Sequence, residues 1–329
     1  MGTAPHHDPA GKRGPILVTG ATGYIAGELI PRLLAQQYSV RALVRGATSR
    51  LQDHAWAAAV TVVSGDVTVP ESLPAALENV DVAYYLVHSL SSEPGFGERD
   101  RQGAANFAVA AKQAGVQRVI YLSGLVPAGD PADLSEHLRA RCETGATLRQ
   151  HGPPVTEFRA AMVVGAGSLS FEILRHFVET FPVVTVPKWM SATMQPIAVL
   201  DVIDYLMAAL ETPDCSGQII EIGGADILST PEILRTFVQV CQRPRLVITV
   251  PGIPPRLTAR LVEMSAPMVN GLAYPLIVGL RYDAVVQDDT ATVIFPHIQP
   301  LDFATATQLA LGASSSSIDS MATRRRPSP

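Results

Sequence analysis

Charge is scarce in this sequence. Only 17% of residues are charged and the net charge is −5, so the basic field of a nucleic-acid surface is missing and no nucleic-acid partner is expected. Cysteine is scarce as well. Cys142, Cys215 and Cys241 stand far apart without a C-x-x-C, which fits a reducing cytoplasm better than a disulfide or zinc framework. There is no H-E-x-x-H, no G-x-S-x-G elbow, no Walker A loop and no clustered Cys and His. Zinc-peptidase, serine-hydrolase and P-loop chemistry are therefore not expected, nor is a metal. The polar opening carries no signal-peptide pattern. Long apolar runs are missing too: the uncharged stretch Ser265–Leu280, 16 residues and one short of the full run from Met264, is broken by Pro267, Asn270, Gly271 and Pro275. A membrane-spanning helix needs roughly 20. The stretch reads as a buried helix or pocket roof, with peripheral membrane contact as the lesser alternative.

What is present is apolar bulk organised by one glycine turn. Apolar residues make up 47% of 329 residues and mean hydropathy is +0.21, enough for one large α/β domain or two joined ones, with an apolar pocket or face. In P-I-L-V-T-G-A-T-G-Y-I-A-G (15–27) an apolar run stops at Thr19-Gly20 and a helical pattern begins near Tyr24. Strand, glycine turn and helix N-terminus together suit a dinucleotide pyrophosphate. Gly20 takes the tight turn, Gly23 admits the phosphates, and Ala26 allows close packing of helix on sheet. Thr22, Tyr24 and Ile25 belong to the same expected cradle. No Asp or Glu lies between Glu28 and Asp53, whereas Arg41, Arg45 and Arg50 do. The spacing points to Arg45 at the end of the second strand and to NADP(H) over NAD(H).

Further strands are expected at 60–63, 81–87, 118–123 and 155–158, alternating with helices at 24–37, 99–115 and 134–150. Such alternation predicts a Rossmann-type, doubly wound parallel sheet with helices on both faces. Asp66 and Val67 of G-D-V are placed beside the adenine, with a helix-capping Asp as the alternative. Leu86, Val87 and His88 end the fourth, buried strand, where ligands of open α/β sheets collect. The pattern loosens from Ala161. The expected layout is a disordered tail over 1–13, a nucleotide domain over 14–160 to which 195–212 returns, a substrate portion over 161–312, and a disordered tail over 313–329. Met162 and Trp189, the latter read as an exposed aromatic, are the candidate substrate wall.

T-G-A-T-G-Y-I-A (19–26), G-D-V (65–67), A-Y-Y-L-V-H-S-L (83–90), I-Y-L-S-G-L (120–125), P-I-A-V-L-D-V (196–202) and E-I-G-G (221–224) occur in order. Together they resemble the atypical, extended-type short-chain dehydrogenases/reductases of the NmrA-like and NAD-epimerase-like kind, over residues 14–312. The resemblance implies a nicotinamide-binding Rossmann domain with a smaller C-terminal portion over the substrate, and a catalytic Ser at Ser123. It also implies a Tyr-x-x-x-Lys on the next helix, but here that helix reads His137-x-x-x-Arg141. The two are four apart on one helical face. An imidazolium can donate a proton near neutral pH, and a guanidinium can hold a ribose but cannot exchange a proton. The alternative is a charged, solvated helix face.

The expectation is an NAD(P)H-dependent oxidoreductase acting on an apolar carbonyl, enone or quinone-like molecule without a tyrosine acid. A non-catalytic NADP-binding sensor or assembly factor competes with it, as does an isomerase, epimerase or cyclase on the same fold. The chain is expected to be monomeric or homodimeric.

Overall fold

The computed structural model describes residues 14–46, 51, 54–87, 95–127, 136–266 and 273–324. Arg50, His88 and the extreme termini lie outside the described residues. In chain order the elements are β1 (Ile16–Val18), α1 (Tyr24–Ala35), β2 (Val40–Val44), β3 (Thr61–Ser64), α2 (Pro74–Leu77), β4 (Val82–Tyr85) and α3 (Phe96–Gln113). Next come β5 (Arg118–Gly124), α4 (Glu136–His151), β6 (Val155–Ala160), β7 (Val163–Val164), α5 (Leu169–Thr180), β8 (Val183–Pro187), β9 (Thr193–Met194) and β10 (Ile197–Ala198). The chain continues through α6 (Val199–Glu211), β11 (Ile219–Ile222), β12 (Leu228–Ser229), α7 (Thr230–Val240) and β13 (Leu246–Val250). It ends with α8 (Pro255–Ser265), α9 (Ala273–Gly279), α10 (Thr290–Ile294) and α11 (Phe303–Arg324).

Two compact units divide these elements. The first comprises residues 1–159, 203–221 and 288–296. Its elements belong to a parallel seven-stranded sheet of order β11-β6-β5-β4-β1-β2-β3. The apolar strands β1 and β4 are central, with Leu17 paired to Ala83 and Val18 to Tyr84, so the strand order reverses between them. In open α/β sheets that reversal marks the ligand crevice at the strands' carboxyl ends. Leu17, Tyr85, Phe107 and Leu148 pack the helices onto the sheet. The returning segments are bound tightly: Tyr84 donates to the Leu206 carbonyl at 2.8 Å and Arg118 donates to the carbonyls of Leu210 and Thr212. Phe158, Tyr205 and Phe295 form a ring cluster with centroids 5.6 to 6.0 Å apart. Glu157 of β6, fully buried, is paired with Arg149 of α4 and with Arg159 at 2.8 Å.

The second unit comprises residues 160–202, 222–287 and 297–329. Its main core joins Phe171 of α5, Phe237 of α7 and Phe303 of α11 with Val186 and Met194. A smaller cluster holds Ala259 of α8 and Ala273 and Ile277 of α9, against Leu169, Ile173 and Trp189. β8 pairs with β13 in parallel.

Several boundaries differ from the sequence expectation. The cap of α7 is Ser229, whose backbone N–H donates to Glu232 at 2.8 Å in a capping box. Thr230 is already the first residue inside the helix. α11 runs on to Arg324, beyond the expected domain end at Gly312, because the serine-rich stretch holds no proline to stop it. Trp189 is half-buried rather than exposed.

Candidate functional site

The glycine turn sits at the carboxyl ends of β1 and β4. Buried Thr19 ties them together: its hydroxyl donates to the Tyr84 carbonyl at 3.1 Å and accepts from the Leu86 N–H at 3.1 Å. Gly20 has φ +64°, and a Cβ there would lie 2.6 Å from the Leu86 carbonyl oxygen. Both facts demand glycine. Gly23 is the N-cap of α1, with no side-chain capping bond and no acidic residue in the first turn. Thr22 and Gly23 are exposed, and Tyr24 and Ile25 half-buried. The helix thus presents backbone N–H groups and its positive dipole end without a side chain of its own to satisfy them. A Cβ at Gly23 would meet only the Gly20 oxygen, at 3.1 Å. These residues fit a dinucleotide pyrophosphate.

Around this turn the expected contacts divide. Leu86 and Val87 are half-buried, and the Leu86 carbonyl and Val87 nitrogen lie beside Gly20. Arg45 is exposed at the end of β2. Arg41 is engaged elsewhere, donating to the carbonyls of Ala76 and Glu78 at 2.9 and 2.7 Å. Asp66 Oδ1 accepts from the N–H and the hydroxyl of Thr68, both at 2.8 Å, so one carboxylate oxygen serves a local turn. Val67 is buried, and its carbonyl accepts from Asn106 at 3.0 Å.

A polar group lies where β5 meets α3 and α4. Tyr121 and Ser123, two apart on β5, face the same way. Tyr121 donates to the Arg141 carbonyl at 3.2 Å. Burial raises its pKa, opposed by the Arg141 guanidinium and by the Ser123 hydroxyl beside it. Ser123 is buried, and its hydroxyl makes no hydrogen bond of good geometry. The Arg141 Nε is also buried without a partner. Burial lowers the pKa of Arg141, while Tyr121 and the buried Asp100 of α3 oppose that, and a guanidinium remains charged throughout. Burial first, then Arg141, pushes the pKa of His137 down to about 4. Gly124 lets α4 approach: a Cβ there would lie 3.2 Å from Leu138.

The structure thus brings Ser123 and Arg141 together around Tyr121 and sets Arg141 close enough to depress His137. Tyr121 and Asp100 were not anticipated. Tyr121 was detectable as the residue two before Ser123 on one strand face, whereas Asp100 carried no signal along the chain. In the second unit, Met162 packs against the main core and Trp189 against the smaller cluster, and Trp189 donates to the Ile253 carbonyl at 2.6 Å. The two candidates belong to separate clusters. Among the described residues no group of three or more His, Cys, Asp or Glu is arranged to hold a metal ion. No described helix is long and apolar enough to cross a membrane.

The NmrA-like family profile matches residues 12–269. The chain belongs to the NmrA-like family. Its Rossmann fold is shared with a Staphylococcus aureus nucleoside-diphosphate-sugar epimerase, at TM-score 0.72 and 18% identity over 89% of this chain and 99% of that one. It is also shared with the triphenylmethane reductase of Citrobacter sp., at TM-score 0.71 and 19% identity over 91% and 99%, which has been solved with NADP(H). Among curated proteins the chain is 23% identical to the photosystem II assembly factor Ycf39 of Synechocystis sp., over 69% of this chain and 67% of that one. It is 31% identical to the 2-alkyl-3-oxoalkanoate reductase of Shewanella oneidensis, over 35% of this NmrA-like chain but only 29% of that relative.

Proposed function

We propose that this NmrA-like protein is an NADP(H)-dependent oxidoreductase that reduces an apolar carbonyl, enone or quinone-like small molecule without a tyrosine acid. The observation that carries the reading is the Gly20–Gly23 cradle, closed to any Cβ at Gly20 and uncapped at α1. The backbone at Thr22, Gly23, Tyr24 and Ile25 holds the pyrophosphate. Val67, Leu86, Val87 and His88 line the dinucleotide, and Asp66 takes the adenine amine on the carboxylate oxygen not used by Thr68. Arg45, exposed where an acid is absent, takes the 2′-phosphate. The bound nicotinamide supplies a hydride. The chain's own part is electrostatic: the Ser123 hydroxyl donates to the substrate oxygen, and buried Arg141 stabilises negative charge developing near it. His137 is neutral at pH 7, so it serves as a neutral hydrogen-bonding relay from water, not as a resting imidazolium. Met162 and Trp189 are the proposed apolar contacts for substrate.

The test is a fluorescence titration with NADPH and NADH in parallel, followed by an electrophile screen for NADPH consumption. Arg45→Ala is expected to weaken NADPH about tenfold, as for one charge-assisted hydrogen bond, and to leave NADH unchanged. Failure to bind either nucleotide overturns the reading. The 23% match to an assembly factor over 69% of the chain favours a second reading, a non-catalytic NADP-binding factor. That reading predicts tight NADPH binding with no consumption by any electrophile. An isomerase, epimerase or cyclase would instead form product with no net change in NADPH.

A further inference from the structure

Helix α8 is apolar on two opposite sides. One side is explained by packing: Ala259 is buried with Ala266 just past the helix end, and Val262 is half-buried against the same cluster. The other side is not. Leu257, Leu261 and Met264 are 49%, 50% and 74% exposed. They follow i, i+4, i+7 spacing, which stacks them into one stripe. Arg256 and Arg260, also exposed, are one turn apart and each precedes a stripe leucine, so they form the stripe's cationic edge. At about 100° per residue the five side chains span an arc of roughly 140° opposite Ala259. The helix's one acid, Glu263, is half-buried and lies between Arg256 and the packed Ala259 around the helix, behind the cationic edge. In a chain of net charge −5, an apolar stripe edged by two cations and no exposed acid is a local departure.

We propose that this face of α8 docks on an anionic lipid bilayer, with Leu257, Leu261 and Met264 entering the acyl boundary and Arg256 and Arg260 meeting lipid phosphates. The charge pattern selects the occupant: apolar side chains with a cationic border match a surface that is anionic outside and apolar just beneath it. The stripe holds no aromatic anchor of the kind that dominates protein–protein interfaces. The neighbouring α9 exposes Tyr274 at 43%, a residue type suited to the headgroup level. This surface is independent of the cofactor chemistry proposed above.

The experiment is flotation of the full-length chain with two vesicle preparations, pure phosphatidylcholine and phosphatidylcholine with about a third phosphatidylglycerol. The protein is expected to float with the anionic vesicles only, and less so as salt rises. Leu257→Ser/Leu261→Ser/Met264→Ser is expected to reduce the bound fraction about tenfold, as three lost insertions require. Arg256→Gln/Arg260→Gln is expected to remove the preference for anionic lipid. All the altered side chains are exposed, and unchanged thermal melts verify the fold. No flotation with either preparation, or flotation untouched by the triple substitution, overturns the proposal. It is equally overturned by concentration-dependent dimerisation in sedimentation velocity that the triple substitution abolishes, since a second copy would then cover the stripe.

Discussion

Burial and the Arg141 guanidinium hold the pKa of His137 at about 4, against an ordinary value of 6.5. Between those values the unfolded chain takes up a proton that the folded chain refuses. The folded state's advantage from a neutral imidazole is complete above pH 6.5 and is lost as pH falls from there towards 4. The slope is at most about 1.4 kcal/mol per pH unit. Urea unfolding at pH 7 and pH 5 should therefore show wild type losing more stability than His137→Gln, which has nothing to protonate. An equal loss in both would mean that the site does not exclude the imidazolium. The same depression bears on turnover. An essential imidazolium would make kcat/KM fall as pH rises through about 4, whereas a neutral relay leaves kcat/KM flat between pH 6 and 8 and leaves His137→Gln more active than His137→Ala. In the sequence, His137 and Arg141 were legible as a pair by their spacing of four. The neutral state of His137 was not, because it depends first on burial of the imidazole, which arises only when α4 packs in the folded chain, and then on Arg141.

Helix α4 must come close to β6 because Gly145 lies directly on the buried Glu157 carboxylate. A Cβ at 145 would lie 2.5 Å from Glu157 Oε2, and that carboxylate is held by Arg149 and Arg159. Gly145→Ala therefore has to push apart a buried ionic group, at a cost of about 3 kcal/mol. The matched control is Gly27→Ala in α1. Its Cβ would have the His54 ring at 3.8 Å as nearest neighbour, so the ordinary helical gain of about 0.5–1 kcal/mol should appear. Thermal melts that moved both variants the same way would refute the assignment of close approach to Gly145 alone. Strands and helices of the nucleotide half were legible because their apolar periodicity matches their burial. Helix α8 escaped the sequence reading since Leu257, Leu261 and Met264 face solvent and contradict any single buried stripe. Trp189 was misjudged for the opposite reason: its flanking Lys188 is exposed, but the indole turns inward to Ile253.

Neither unit of the molecule is a continuous stretch of chain. The sequence pattern returns residues 195–212 to the nucleotide half, whereas residues 203–221 group with the first unit and 195–202 with the second. It gave no sign that residues 288–296 do so too, since Phe295 is a lone aromatic whose partners, Phe158 and Tyr205, are remote in sequence. The consequence is testable on a fragment ending at Ala160. That fragment keeps the glycine turn and every candidate cofactor residue, yet loses β11 at the sheet edge, the Leu206 acceptor of the fully buried Tyr84 hydroxyl, and the carbonyls that hold Arg118. It also strips Tyr205 and Phe295 from Phe158, and each buried aromatic lost is worth about 3–5 kcal/mol. Such losses exceed half the stability of an ordinary domain, about 5–15 kcal/mol. The fragment should therefore unfold without a cooperative transition and leave NADPH fluorescence unchanged, whereas the intact chain melts cooperatively and melts later when NADPH is added. A fragment that melted cooperatively and bound NADPH like the whole chain would show that the returning segments decorate the nucleotide half and do not complete it.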